Sequence, residues 1–234
     1  YPTLITDKKN NSWNADIYDE KQNDIIRGTA IQYQASAWAK VALHEARFVV
    51  LDTETTGLDT KKDRILSIGA VAVSNFSICV EDSFETVLQQ DLYNAESIAV
   101  HEIMPRESAT ANTPKVVMEQ FLKYVGNAVI IGHYVDFDFK MLNEACKRNL
   151  GFELQNPTYD TMQLLKRTDT HFAESNLHKA ADFNLDNVCQ RFNIPISDRH
   201  TAMGDATATA LLFARQLKKL EHRGVKSVKD LLRR

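Results

Sequence analysis

Hydrophobic positions change period several times along the chain, and each change marks an element. Residues 48–51 are four consecutive apolar positions that run into the polar stretch DTETTGLD, ending at Asp59. An unbroken apolar run closed by a turn signal reads as a strand buried on both faces, and so as the centre of a sheet. After the polar turn 61–64, residues 65–75 and 76–89 read as two further strands joined in a hairpin across Asn75, pairing antiparallel beside the first. Residues 95–103 form a short predicted helix carrying His101. Thr113 as N-cap and Pro114 at the first helical position open a helix over TPKVVMEQFLKYV. AVIIGH, residues 128–133, is a short apolar strand followed by a helix with Phe139, Leu142 and Cys146 on one face, the unit of a parallel crossover. Residues 157–159 read as a last edge strand, and Asp160 as the N-cap of the helix that follows. Residues 184–194 and 202–220 complete the pattern as two large helices.

These elements place one α/β domain at residues 47–222. Ahead of it, residues 1–28 are polar, rich in Asn, Asp and Lys, and read as an extended arm. A helix is predicted over 29–46, where Ile31, Ala35, Trp38 and Ala42 share a face; Trp38 on such a stripe reads as a packing residue. Residues 223–234 form a basic tail carrying Arg223, Lys226, Lys229, Arg233 and Arg234, of the kind favoured after a helix C-terminus.

Composition narrows the classes. Hydrophobic residues at 44% of 234 support a packed core, and a net charge of -3 argues against coating nucleic acid through bulk charge. It leaves room for a local basic groove. Three dispersed cysteines without a CxxC pair give neither a disulfide framework nor a zinc module, and no run approaches a membrane span, so a reducing, cytoplasmic setting is expected.

Candidate chemistry begins at the end of the first strand. Alternation puts Asp52 and Glu54 on the same face, roughly 6 to 7 Å apart at Cα. Like charges so placed repel unless a cation sits between them, and hard divalent ions take carboxylate oxygens. A capped turn with a solvated Glu54 is the alternative, and this stretch does not decide between them. Asp138 and Asp205 fall in first helical turns, where an acidic residue also complements the helix dipole, and His200 precedes the second of these helices.

Together these residues form an ordered set: DTETTG, then GH followed by FD, then H-x4-D. The set resembles the three exonuclease motifs of the DEDDh family, that of the proofreading epsilon subunit of bacterial DNA polymerase III, ribonuclease T and oligoribonuclease. The likeness runs over residues 47–220 and implies an RNase H-like fold, a mixed five-stranded sheet flanked by helices. It implies two divalent cations, Mg²⁺ or Mn²⁺, with Asp52 bridging them, Glu54 and Asp205 on the ion that activates water, and Asp138 on the second. His200 would be the general base. Two ions about 3.5 to 4 Å apart can stabilise the attacking and leaving oxygens of a phosphodiester displacement, and an imidazole accepts a proton near neutral pH. Asp138 is chosen over Asp136 because the family ligand follows a Phe, here Phe137.

The same resemblance places Thr55, Gly57 and Leu58 on the 3′-terminal nucleotide, with Leu58 against its base or, alternatively, in the core. His101, in HEI, matches the family HGI and is a further substrate contact, with Glu102 in place of Gly; Tyr134 stands where the family has Asn. The expected activity is 3′-to-5′ hydrolysis of DNA ends to nucleoside 5′-monophosphates. A 3′-to-5′ exoribonuclease is the alternative within the class, and a non-catalytic module docking on a polymerase the alternative outside it. Expected partners are nucleic acid 3′ ends and a polymerase or other replication or repair protein.

Overall fold

The apolar run 48–51 lies in the middle strand of a sheet. In the computed structural model, which describes residues 41–173 and 180–233, the strands are β1 (Arg47–Thr55), β2 (Ile65–Ser74), β3 (Ser77–Val87), β4 (Val129–Gly132) and β5 (Thr158–Asp160). Their order is β3-β2-β1-β4-β5. The β1/β2 and β2/β3 pairs are antiparallel, whereas β4 is parallel to β1 and β5 to β4, giving the mixed five-stranded sheet expected. β2 and β3 meet at Asn75 and Phe76, with φ of 48° and 60°. Two central residues at positive φ fit the type I′ turn, whose twist matches a hairpin. The predicted hairpin is present, with Phe76 in the turn rather than in the strand.

Alternation along β1 sends its side chains into two cores. Val49 and Leu51 pack on Val117, Phe121 and Leu142 from α3 (Pro114–Val125) and α4 (Val135–Leu150), the helices after α1 (Ala95–His101) and α2 (Pro105–Ala109). Thr113 takes the N-cap backbone geometry of α3, although its side chain makes no capping bond. On the other face Phe48 and Val50 meet Phe213 and Leu217 of the 21-residue helix α8 (Ala202–His222), with the rings of Phe48 and Phe213 edge to face at 5.1 Å. Between these lie α5 (Thr161–Thr168), α6 (Thr170–Ala173) and α7 (Leu185–Arg191), whose Leu165, Phe172 and Val188 pack with Leu212. The helix expected over 184–194 is therefore shorter: it stops at Arg191, and Asn193 turns the chain at φ 49°.

The two ends of the domain depart from the expected boundaries. Residues 41–46 are not helical: Ala42 bridges Ser227, Leu43 N–H donates to Lys226 O at 3.0 Å, and the Leu43 side chain is buried. The rest of the predicted 29–46 helix, including Trp38, and the 1–28 arm lie outside the described residues. Residues 223–233 do not form a separate basic tail. Their apolar members Val228 and Leu231, three apart, are fully buried on one face of the short helix α9 (Val228–Leu232), while the lysines stay outside. Arg167 fixes this helix by donating to Leu231 O at 2.6 Å and Asp230 O at 3.2 Å.

Candidate metal centre

The site forms where β1 outruns β4. Pairing between the two ends at Val50 and Ile131, while β1 continues to Thr55 along β2. Beyond that point Asp138, in the first turn of α4, takes over the exposed edge: its Oδ1 accepts from Thr53 N at 3.0 Å and from Thr53 Oγ1 at 2.7 Å. Asp138 is buried and Asp136 is exposed, so Asp138 is the one directed inward.

Asp52 and Glu54 point to the α8 face, as Phe48 and Val50 do earlier in the strand. There the first turn of α8 brings in Asp205, and ligand atoms of Asp52, Glu54 and Asp205 lie within 4.8 Å of one another. This approach depends on Gly69, opposite Asp52 on β2: a Cβ there would stand 2.2 Å from Met203 N and 2.3 Å from the carbonyl carbon of Ala202. The α8 N-terminus, which favours anions, thus rests on the strand beside the carboxylates.

Electrostatics mark this cluster as unfinished. Burial, then Asp138, Asp205 and Glu54, hold the Asp52 pKa well above the ordinary carboxylate range. Burial and the neighbouring Asp205 and Asp138 push Glu54 to about 8. Burial raises Asp138 to about 7, against the opposing bonds from Thr53. Oδ1 of Asp205 is buried with no hydrogen-bond partner among the described residues. Carboxylates that repel one another and an orphaned oxygen fit a divalent cation, whose charge would reverse these shifts.

Arg199 supplies the opposing charge in its place. Its Nη1 donates to Asp205 Oδ2, while Nε and Nη2 donate to Asp186 Oδ1 and Oδ2 at 2.5 and 3.1 Å. Its charge opposes, without cancelling, the upward shifts of Asp52 and Glu54. Sequence reasoning missed Arg199, Asp186, Thr53 and Gly69; of these only Gly69, an isolated glycine within a strand pattern, carried a local signal of close approach.

The remaining predicted residues are spread around this centre. His200 is exposed on the turn before α8, with φ 62°, and makes no hydrogen bond among the described residues. Leu58 is 84% exposed, which removes the core-packing alternative. Thr55 is buried and its hydroxyl donates to Gly57 O at 2.8 Å, while a Cβ on Gly57 would lie 2.6 Å from Asp63 Oδ2, so both hold the loop's shape. His101 is buried beside a cavity of ≈ 300 Å³ that Ser67, Glu85, Thr201 and Met203 also line. Its Nδ1 accepts from Ile103 N at 3.0 Å and its Nε2 has no partner among the described residues.

His133 is structural: its Nε2 donates to Phe183 O at 2.7 Å, which leaves Nδ1 to accept from Thr161 Oγ1 at 2.8 Å. Asp160 is an N-cap as expected, accepting from Met162 N at 2.7 Å and also from Val135 N at 3.1 Å. Tyr134 is half exposed at φ 62°, on the rim of a cleft of ≈ 390 Å³ shared with Asp160, Gln163 and Lys166.

A mixed sheet with an acidic trio at the end of its central strand defines an RNase H-like nuclease domain. Residues 49–213 match the model of the RNase T family, described as exonuclease, and the chain belongs to that family. It is 36% identical over 194 residues to the DNA polymerase III subunit epsilon-like protein of Rhodobacter capsulatus, covering 81% of this chain and 26% of that one. It is 30% identical over 191 residues to the PolC-type DNA polymerase III of Caldanaerobacter subterraneus subsp. tengcongensis, covering 80% of this chain and 13% of the polymerase. The chain therefore corresponds to a small part of either relative. Exonuclease I has the same fold, with a TM-score of 0.63 at 19% identity over 76% of this chain and 43% of that one. The family is one of exonucleases that need divalent metals, and the cluster of Asp52, Glu54 and Asp205 is the candidate metal site in this chain. Among the described residues no helix is long and apolar enough to cross a membrane.

Proposed function

We propose that the domain is a metal-dependent 3′-to-5′ exonuclease that acts on DNA ends and releases nucleoside 5′-monophosphates. The observation that carries this reading is the convergence of Asp52, Glu54 and Asp205 within 4.8 Å, with Asp138 bonded to the strand between the first two. These four residues would hold Mg²⁺ or Mn²⁺, and a pair of such ions supplies Lewis-acid stabilisation of both oxygens in an in-line displacement. His200, exposed on the turn before α8 and without a hydrogen bond among the described residues, would take the proton of the attacking water. Leu58 offers an exposed apolar face to the terminal base, and the braced loop carrying Thr55 and Gly57 fixes that face in place. His101, whose Nε2 has no partner among the described residues, lines a cavity together with Thr201, Ala202 and Met203 at the α8 N-terminus, where it would meet the same nucleotide.

DNA is the proposed substrate because the relatives are named as DNA polymerase III proteins, and exonuclease I has been seen in complex with a dT13 oligonucleotide. The same names make a polymerase or another replication or repair protein the proposed partner, with proofreading as the corresponding role. The test is a time course on 5′-labelled single-stranded DNA and RNA of one sequence, in Mg²⁺, in Mn²⁺ and in chelator, with Asp52→Ala alongside. A metal-dependent ladder shortening from the 3′ end, faster on DNA and absent in Asp52→Ala, is expected. Faster shortening of RNA would move the substrate class to 3′-to-5′ exoribonuclease. Intact DNA and RNA under every condition would overturn the catalytic reading and leave a polymerase-docking module.

A further inference from the structure

Arg199 touches two acids that play different parts. Asp205 belongs to the trio of metal-type ligands, whereas Asp186 stands outside it, at the start of α7, with its side chain 51% exposed. The fork is unevenly shared: two of its three bonds go to Asp186 and one to Asp205. Giving up Asp205 would break a single bond and leave the bidentate pair intact. Asp205 would then present Oδ2 together with Oδ1, which already has no partner among the described residues.

Position and charge make this exchange consequential. Arg199 acts on Asp52 and Glu54 as well as on Asp205, so its charge reaches the whole trio. A guanidinium on one of these carboxylates and a divalent cation among them are mutually unfavourable, because like charges a few ångströms apart repel and both seek the same oxygen lone pairs. The arginine is tethered and always charged, so it is present at every ion concentration.

We propose that Arg199 is a built-in competitor of the divalent ion: it neutralises Asp205 while the site is empty, and it withdraws onto Asp186 when an ion binds. Asp186 is thereby a positioning residue that sets metal affinity without being a ligand. This inference rests on the reading of Asp52, Glu54 and Asp205 as metal ligands, and it adds that the site's affinity is set by a residue pair partly outside it. A weaker, exchangeable ion is the consequence.

The test is equilibrium binding of Mn²⁺ alone to the full chain without nucleic acid, following free Mn²⁺ by electron paramagnetic resonance. Arg199→Gln is expected to bind about tenfold more tightly than the unaltered chain. Asp186→Asn is expected to bind several-fold more weakly, since the arginine keeps only Asp205 as a partner. The double variant should bind as Arg199→Gln does, because Asp186 acts through the arginine. Arg199→Lys, which keeps the charge and loses the fork, should fall between the unaltered chain and Arg199→Gln, and it serves if the Gln variant does not fold.

Binding by Arg199→Gln no tighter than by the unaltered chain would overturn the competition. A double variant as weak as Asp186→Asn would overturn it too, by showing that Asp186 attracts the ion directly. Absence of Mn²⁺ binding to the unaltered chain would remove the metal reading itself, a result distinct from bound Mn²⁺ with unchanged affinities.

Discussion

The two halves of β1 share one antiparallel partner and one covering helix, yet they do opposite work. In residues 48–50 both edges are paired, and Phe48 and Val50 pack against the body of α8. In residues 52–55 the β4 edge is missing, and the same face carries Asp52 and Glu54 against the first turn of that helix. One half contributes burial, and the other gathers like charges at a cost. The difference shows how a continuous strand can be the firmest part of a domain and the holder of its least satisfied groups. It needs only a neighbour that stops early and a helix that begins where the strand ends.

The sharpest way to separate the halves is to damage the first. Phe48 is fully buried against Phe213, and Phe48→Ala removes a ring that surrounding side chains cannot replace. A loss of about 3 to 5 kcal/mol in denaturant unfolding is expected. Mn²⁺ affinity of the chain that remains folded should be unchanged. A matching fall in affinity would mean that the apolar half shapes the carboxylate geometry, and the division would fail.

The second half predicts an effect of opposite sign. Glu54 at about 8, Asp138 at about 7 and the raised Asp52 all bind protons more tightly in the folded chain than in the unfolded one. Their protonation therefore favours the folded state most at low pH, and that contribution is lost as pH rises from ordinary carboxylate values through about 8. In chelator, stability should fall by on the order of 3 kcal/mol between pH 5 and pH 8.5, at about 1.4 kcal/mol per unit shift shared among coupled groups. Mg²⁺ should restore it at the upper end, and Asp52→Asn should flatten the slope while removing activity. Urea midpoints across this range, with and without the ion, decide it; a rise with pH in chelator would contradict the electrostatic picture.

How much of this the sequence disclosed follows from the range of each interaction. Asp52, Glu54, Asp138 and Asp205 were legible because strand alternation and helix starts are local rules, and their order resembled a known motif set. Leu58 was left open between core and ligand, since no local rule fixes exposure at a loop tip. Arg199 was passed over because an arginine beside a histidine in a turn reads as surface; its meaning comes from Asp186, 13 positions away, and from Asp205 across the site. Period alone places residues 41–46 in a helix, whereas Ala42 bridges Ser227, far along the chain, and residues 43–45 turn back onto Ala42 O. The C-terminal segment was judged by its lysines, although Val228 and Leu231 decide where it packs.

The smallest expected effect tests the hinge between the halves. Thr53 sits among the carboxylates on the opposite face, and its amide and hydroxyl both donate to Asp138 Oδ1, in place of a strand partner. Thr53→Val keeps the shape, the strand preference and the amide bond, and removes only the hydroxyl. The expected loss is about 1 kcal/mol. Bonds to a charged acceptor are stronger than bonds to a neutral one, so the loss should be larger in chelator at pH 8.5, where Asp138 is ionised, than at pH 5.5, where it holds its proton. Denaturant midpoints of the variant and the unaltered chain at the two pH values measure this difference. A loss that is equal at both, or larger at the lower pH, would mean that Thr53 supports the strand edge and not the charge on Asp138, and the open half of β1 would then be held together by packing, as the closed half is.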